Sequence, residues 1–196
     1  MSASRRNRSI NRKSGMGECG QVLLEFALTL PLLVVLVFGL IDFSRGIYIQ
    51  QVLVSLTRDS SLMAARGTLP ADVVTVLTTN TNTTGTSPLD LMNRGRIIIT
   101  PVINNGTDAI PVYQVAAAQY SAGTCQGCTT MNSRVGANVV GSSATLPPQP
   151  ADGNSFPQPG KTVYVTEIFY AYQALTPIGT LLARVMPSQL YDVAYI

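Results

Sequence analysis

The sequence predicts an α+β protein, in which a long N-terminal helix packs on a small, mainly antiparallel β-sheet. Three observations support this expectation. The apolar run Gln21–Ile41 is 21 residues long and can cross a bilayer as a helix. The next segment, Ser44–Arg66, keeps apolar residues on one helical face. Two later segments, Arg94–Ile103 and Thr162–Ala171, are rich in β-branched and aromatic residues and predict strands.

The first 20 residues form a basic leader. Five of the 13 Lys and Arg residues lie here against one acid, which gives the leader a net charge of +4. The other residues carry eight basic and nine acidic side chains, a net charge of −1. A nucleic-acid surface would spread its basic residues over a folded face, so we expect no nucleic-acid partner. Positive charge before an apolar run predicts that residues 1–20 lie in the cytoplasm and residues from about 43 onward lie outside.

The apolar run contains a single charge, Glu25. As a helix it covers about 30 Å, which is the thickness of the hydrocarbon core. A buried core helix is the alternative, but the basic leader favours a membrane. A cleaved secretory signal fits less well, because the one small-x-small candidate after the run, Ser44-Arg45-Gly46, has a central arginine. A lipoprotein signal also fails, because Cys19 precedes the run. We therefore expect a leader over 1–20, a span over 21–43 and an extracytoplasmic domain over 44–196.

The soluble half of the long helix is predicted to end near Gly67 and Pro70. One of its faces carries Ile49, Val52, Leu53, Leu56, Ser60, Met63 and Ala64, at helical spacing. This face is expected to pack on the domain. The opposite face mixes Arg58 and Gln51 with Ile47, Val54 and Leu62, and either a partner or the core explains its apolar residues.

The remaining chain alternates polar loops with short apolar segments. Thr78–Pro88 is rich in Thr and Asn and predicts a polar loop. Pro101 in the strand Arg94–Ile103 favours an edge position or a bulge. Further expectations are strand or helix at Pro111–Tyr120, a long loop at Ser121–Gly160, a short helix at Ile178–Met186 and a strand at Leu190–Ile196.

The composition excludes several kinds of chemistry. The chain has no histidine, so it cannot form a Ser-His-Asp triad, a Cys-His pair or a His-based zinc or haem site. The acids Asp90, Asp108 and Asp152 are scattered and suggest no acid–base pair. We therefore expect no catalytic residue, no cofactor and no metal site, and a protein that is not an enzyme.

Cys125 and Cys128 form a C-x-x-C sequence that has several interpretations. A structural disulfide in an oxidising periplasm is favoured. A redox pair needs a helix after the first cysteine, and Thr129-Thr130-Met131-Asn132 is a poor helix start. A zinc site needs four ligands, but the chain has no histidine, and Cys19 would lie across the membrane or leave with the leader. Two free thiols are the remaining alternative.

Glu25 is the unusual residue of the apolar run. A carboxylate near the start of a membrane helix is costly unless it is paired or lies at the interface. Glu25 is the fifth residue after Gly20, so a cut after Gly20 would expose the amine of Gln21. That amine has the charge and position to pair with Glu25 of a neighbouring chain. The alternative is a first-turn glutamate that the helix dipole stabilises and that reaches the headgroups.

The residues around this glutamate resemble a known processing signal. Gly20–Phe26, GQVLLEF, is similar to a class III prepilin peptidase site of the type IV pilin superfamily. The longer run Gly20–Tyr48 resembles the TadE-like family, the minor pseudopilins of the Tad (Flp, tight-adherence) pilus system. The matching residues are Leu24-Glu25-Phe26-Ala27-Leu28, Pro31 and the exit Asp42-Phe43-Ser44-Arg45. Val163–Thr176, followed by Pro177, resembles the strand and "LTP" turn of these proteins more weakly.

The resemblance implies a role in assembling an adhesive pilus, though not as its main subunit, because major Flp pilins are much shorter. It implies a prepilin peptidase cut between Gly20 and Gln21, with Glu25 and Phe26 as part of the processing site and Glu25 supporting processing or lateral assembly. It further implies a single-pass protein of the bacterial inner membrane, with a periplasmic C-terminal domain, or a place in the pilus or at the cell surface. The implied partners are the peptidase, other Tad pilins and pseudopilins, and assembly-platform proteins. An uncleaved, signal-anchored envelope protein that binds a surface ligand is the alternative.

Overall fold

The computed structural model describes residues 16–83, 89–146, 156–177 and 188–196. Three helices and five strands follow one another in this part of the chain. They are α1 (Met16–Ala65), α2 (Pro70–Thr83), α3 (Leu91–Arg94), β1 (Gly95–Asn104), β2 (Tyr113–Val115), β3 (Tyr120–Ala122), β4 (Thr162–Ala171) and β5 (Gln189–Tyr195). The predicted α+β class, with a long apolar helix packed on a small antiparallel sheet, is confirmed.

Helix α1 is 50 residues long and continues through Pro31. Residues 20–38 are exposed on all sides, whereas the predicted apolar face of the second half is buried. The residues that enter the core are Ile49, Leu53, Leu56 and Ala64, with Val52 and Met63 packed beside them. The helix ends as predicted, because Gly67 takes a positive φ of 86°. This conformation lets the amides of Gly67 and Thr68 donate to the carbonyls of Ala64 and Met63, at 3.0 and 3.1 Å.

The sheet is antiparallel, with the strand order β2-β1-β4-β5, and β3 also pairs with β1. The strands predicted over Arg94–Ile103, Thr162–Ala171 and Leu190–Ile196 are confirmed as β1, β4 and β5. In β4, Ile168 and Tyr170 face α1, whereas Val165 and Phe169 face the other side of the sheet. That second face is covered by the irregular segment 123–146, which carries Cys125, Val135 and Ala144 into contact with it.

The expectation that Pro101 places its strand at an edge or in a bulge is wrong. β1 is interior, since it pairs with β4 over nine residues on one side and with β2 and β3 on the other. Pro101 lies between the stretches paired to β3 and to β2. The carbonyl of Pro101 accepts a hydrogen bond from the amide of Ala116 at 2.8 Å. Because the nitrogen and the carbonyl of a strand residue point to the same side, the nitrogen of Pro101 also faces the break between β2 and β3. The missing N–H therefore breaks no ladder bond.

The polar loop predicted over Thr78–Pro88 is wrong in its first half, because α2 extends to Thr83. Composition favoured a loop, but burial of Val73, Val74 and Leu77 against the core decides for a helix. The threonine hydroxyls donate to carbonyls one turn back and so do not compete with the helix, as at Thr81 to Leu77, 3.0 Å. Residues 84–88 lie outside the described part.

Two further segments were ambiguous or weakly patterned in sequence. Pro111–Tyr120 contains β2 and the first residue of β3, so the strand alternative is the correct one. Beyond β3, the described residues of 121–160 are irregular, as expected, apart from the isolated bridges Gln114↔Ser143 and Gly136↔Ala144. The helix predicted at Ile178–Met186 lies outside the described residues.

Candidate functional site: helix α1 and its junction with the sheet

The predicted processing residues lie together in the first turns of α1. Gly20, Gln21, Glu25 and Phe26 are all exposed, and the side chain of Phe26 is 62% accessible. Apart from the adjacent backbone of the helix itself, no atom of the described residues lies within 4 Å of the position that a Cβ of Gly20 would occupy. Gln21 and Glu25 are four residues apart, so one turn of helix separates them on the same face.

The polar groups of this segment are few, and one of them is satisfied within the helix. The hydroxyl of Thr29 donates to the backbone carbonyls of Glu25 and Phe26, at 2.9 and 3.3 Å. Such internal bonds let a threonine lie in a hydrocarbon environment without an unpaired donor. The carboxylate of Glu25 is thus the one charge on an otherwise apolar surface between residues 20 and 41.

This part of α1 is long and apolar enough to cross a membrane, and its most apolar stretch is not buried inside the protein. The exposed apolar side chains surround the helix instead of forming one stripe. They include Leu23, Leu24, Phe26, Leu28 and Leu33. In water, so much contiguous apolar surface would be strongly unfavourable. A single-pass membrane protein, with one N-terminal span, explains it.

Asp42 marks the junction between this exposed segment and the sheet. Its side chain is fully buried and accepts three hydrogen bonds from the turn that follows β4. The amides of Leu175 and Thr176 donate to Oδ1 at 2.9 and 3.2 Å, and the Thr176 hydroxyl donates to Oδ2. The hydroxyl of Tyr172 donates to the backbone carbonyl of Asp42 at 2.8 Å. We call these contacts, between Asp42 and Tyr172, Leu175 and Thr176, the junction clamp.

The junction clamp joins two motifs that are distant in the sequence. Asp42 begins the acidic-aromatic exit of the apolar run, and Leu175-Thr176-Pro177 is the turn with the weaker family similarity. Both motifs stand out in the sequence, but no spacing signal links them across more than 130 residues. The structure shows that the exit aspartate organises the turn.

A second buried acid was not found from the sequence. Glu167 on β4 is fully buried on the face of the sheet away from α1. Its carboxylate accepts from the amide of Arg134 and the hydroxyl of Tyr191, both at 2.9 Å, and from the hydroxyl of Ser133. The guanidinium of Arg134 lies 4.1 Å from the ring centre of Tyr191. Burial, and next the negative charge of Glu167, raise the pKa of Tyr191. This cluster fastens the irregular segment to the sheet, and a strand pattern of alternating residues gives no sign of it.

The cysteines lie near the same end of the sheet as the junction clamp. The Cα atoms of Cys125 and Cys128 are 5.5 Å apart, and their sulfurs are paired as a disulfide. The amide of Cys125 donates to the carbonyl of Gly95 at 3.0 Å. The turn that the two cysteines enclose therefore covers the start of β1.

Two of the three scattered acids, Asp90 and Asp108, lie in separate segments of the described structure. Asp90 caps α3 by accepting from the amide and the side chain of Asn93, at 3.1 and 2.7 Å. The side-chain bond from Asn93, with its backbone bond, lowers the pKa of Asp90. Asp108 lies in the connection between β1 and β2, and Asp152 is outside the described residues. Among the residues that the structure describes, no group of three acids or cysteines lies close enough to hold a metal ion.

Comparison with known proteins gives one match. No curated protein and no solved structure matches the chain. The match comes from a family model and covers the exposed half of α1, the junction residue Asp42 and most of the buried half. Residues 20–61 match the model of the TadE-like protein family, which confirms the resemblance seen in the sequence over this segment.

Proposed function

We propose that this protein is a minor pseudopilin required for assembly of a Tad/Flp-type adhesive pilus. The TadE-like match supports a Tad pilus-associated protein. The observation that carries the proposal is the exposed apolar half of α1, which has one charge, Glu25, five residues after Gly20. A helix of this kind can hold the protein in the inner membrane and can pack beside the helices of other pilins.

The proposed processing step is cleavage of the leader after Gly20 by a prepilin peptidase. Gly20 is exposed and has open space around it, so a peptidase could reach the backbone there. The bond lies within a helix that must open locally before it can be cut. Glycine lowers the cost of opening, since it disfavours an α-helix by about 1 kcal/mol relative to alanine. The peptidase would recognise Glu25 and Phe26, which lie just downstream of the cut.

The proposed assembly step uses the amine that cleavage creates. A carboxylate in the hydrocarbon region costs a few kcal/mol unless it is paired. The new ammonium group of Gln21 on a neighbouring chain supplies the opposite charge at the right depth. Helix packing between apolar surfaces then sets the arrangement, with no catalytic step by this protein.

The proposed orientation places the leader in the cytoplasm and the domain, residues 44–196, in the periplasm. The basic leader supports this direction. An oxidising compartment would maintain the Cys125–Cys128 disulfide. The partners we propose are the peptidase, other Tad pilins and pseudopilins, and the proteins of the assembly platform.

The test is the mass of the N-terminal peptide after expression in bacterial membranes with the cognate prepilin peptidase. We expect the mature chain to begin at Gln21. A peptidase inactivated in its active site is the control and should leave the chain uncut. An intact leader beside the active enzyme would contradict the proposal and favour the uncleaved, signal-anchored binding protein.

A further inference from the structure

The end of the domain nearest the apolar run carries exposed apolar side chains that no described contact covers. We propose that Phe43 and the turn Tyr172–Pro177 form a lipid-contact surface, by which the domain stands end-on in the headgroup region of the membrane. We call Phe43 and Leu175, its two large apolar side chains, the membrane-facing edge. This inference rests on the proposed span and adds a second membrane contact, made by the folded domain.

The position of the turn follows from the junction clamp. The apolar run ends at Ile41 and covers about 30 Å as a helix, so Asp42 lies at the boundary of the hydrocarbon core. The amide of Leu175 lies 2.9 Å from Asp42 Oδ1. The backbone of the turn is therefore held at the depth at which the helix leaves the acyl chains.

The chemistry of the turn suits this depth. Leu175 is 68% exposed and Phe43 is 57% exposed, although both are strongly apolar. The donors beside them are already paired, because Asp42 accepts from Leu175 N–H, from the amide and hydroxyl of Thr176 and from the hydroxyl of Tyr172. A turn with satisfied donors and outward apolar side chains can enter the interface without losing hydrogen bonds.

The opposite end of the sheet provides a matched comparison. α1 runs antiparallel to β4. Gly46 in α1 lies beside Tyr172, which follows the last residue of β4, whereas Gly67, which follows α1, lines a groove together with Tyr164 near the start of β4. Ile110, in the connection between β1 and β2, is 71% exposed and lies beyond the far end of β4. Ten residues of strand cover about 33 Å. Ile110 is thus as exposed as Leu175 but far from the bilayer in the end-on arrangement.

The test uses tryptophan fluorescence, because the chain contains no tryptophan. The full chain is reconstituted in vesicles of phosphatidylcholine and phosphatidylglycerol, with or without bromine atoms on the acyl-chain carbons nearest the headgroup. Bromine quenches only an indole in contact with these carbons. Single-tryptophan variants are Leu175→Trp and Phe43→Trp at the edge, Ile110→Trp as the matched distal control and Phe38→Trp as the control for the span.

We expect brominated lipid to quench Leu175→Trp, Phe43→Trp and Phe38→Trp strongly, and to leave Ile110→Trp unchanged. If brominated lipid quenched Phe38→Trp but not Leu175→Trp, the inference would be overturned, while the proposed span would stand. Equal quenching of Ile110→Trp and Leu175→Trp would overturn it as well, because the domain would then lie on its side. Absence of quenching at Phe38 would contradict the span itself. Gln173→Trp, at another exposed position of the turn, keeps the test valid if the Leu175 variant does not fold, and it should be quenched as Leu175→Trp is.

Discussion

The two halves of α1 differ in their surroundings as well as in apolar content, which is higher between residues 20 and 41. Between residues 20 and 41 the apolar side chains point in every direction and stay exposed. Between residues 42 and 65 the apolar side chains of one face, such as Leu53 and Leu56, are buried against the sheet, whereas Ile47 and Leu62 on the opposite face stay exposed. A helix apolar all round fits lipid, whereas a helix with one apolar face fits a protein core. The direction of the apolar residues, together with their number, therefore separates the membrane half from the domain half.

The largest expected difference between the halves is in the stability of the domain. Leu53 is fully buried, so Leu53→Ala removes core contacts and leaves a cavity. We expect a loss of about 2–5 kcal/mol in the free energy of unfolding. Leu33→Ala is the matched control, because Leu33 is on the same helix but 60% exposed. Denaturant unfolding in detergent, followed by tyrosine fluorescence, should show no change for this control. Equal losses would mean that the halves do not differ as described.

A smaller loss is expected at the boundary between the halves. Asp42→Ala leaves the donors of Leu175 and Thr176 without their acceptor. Unsatisfied buried donors cost about 1–3 kcal/mol, so we expect a loss of that size in the free energy of unfolding. Asp59→Ala, at an exposed position of the same helix, is the control and should change little. In the brominated vesicles, Asp42→Ala should also weaken quenching of a tryptophan at position 175. If Asp42→Ala were as stable as Asp59→Ala, the junction clamp would not hold the domain.

A still smaller effect is expected at Tyr172, and it depends on pH. Tyr172→Phe removes one hydrogen bond to the Asp42 carbonyl, which contributes about 1 kcal/mol. Burial, and next the charge of Asp42, raise the pKa of Tyr172 above its ordinary value of 10.0. The unfolded chain therefore loses this proton at a lower pH than the folded chain does. The contribution of Tyr172 is fully present below pH 10 and is lost as pH rises through the folded pKa.

Unfolding measured between pH 8 and pH 11 tests this sign. The natural chain should lose stability more steeply than Tyr172→Phe above about pH 10. Parallel curves would show that Tyr172 titrates alike in the folded and unfolded chains. Tyr48→Phe, at an exposed position of α1, is a suitable control.

The sequence predicted the elements whose patterns are local. The apolar run, the buried face of α1 and the strands β1 and β4 each follow from residue periodicity or β-branched content. The same reasoning failed at α2, where threonine-rich composition suggested a loop but tertiary burial of Leu77 stabilises a helix. It also failed at Pro101. Only the pairing of β1 with β2 and with β3 shows that a break between these two partners lies beside Pro101 in an interior strand.

The candidate site divides in the same way. Gly20, Gln21, Glu25 and Phe26 are close in sequence, so a motif can indicate them together. The contacts of Asp42 with Thr176 and of Glu167 with Tyr191 join residues far apart in the chain. A single sequence carries no signal for such pairs. Without the fold, which brings the hydrogen-bond donors near, a buried acid on a helix or a strand cannot be distinguished from an ordinary exposed polar residue.

The most direct test of the account is Glu25→Ala, assayed for pilus assembly in cells and for unfolding of the purified protein. Glu25 lies in the exposed half of α1, so we predict that the stability of the domain is unchanged. We predict that pilus formation and lateral crosslinking to other pilins are lost, while Thr29→Ala, one turn away, keeps both. Normal pilus assembly by Glu25→Ala would contradict the assembly role assigned to this half of the helix.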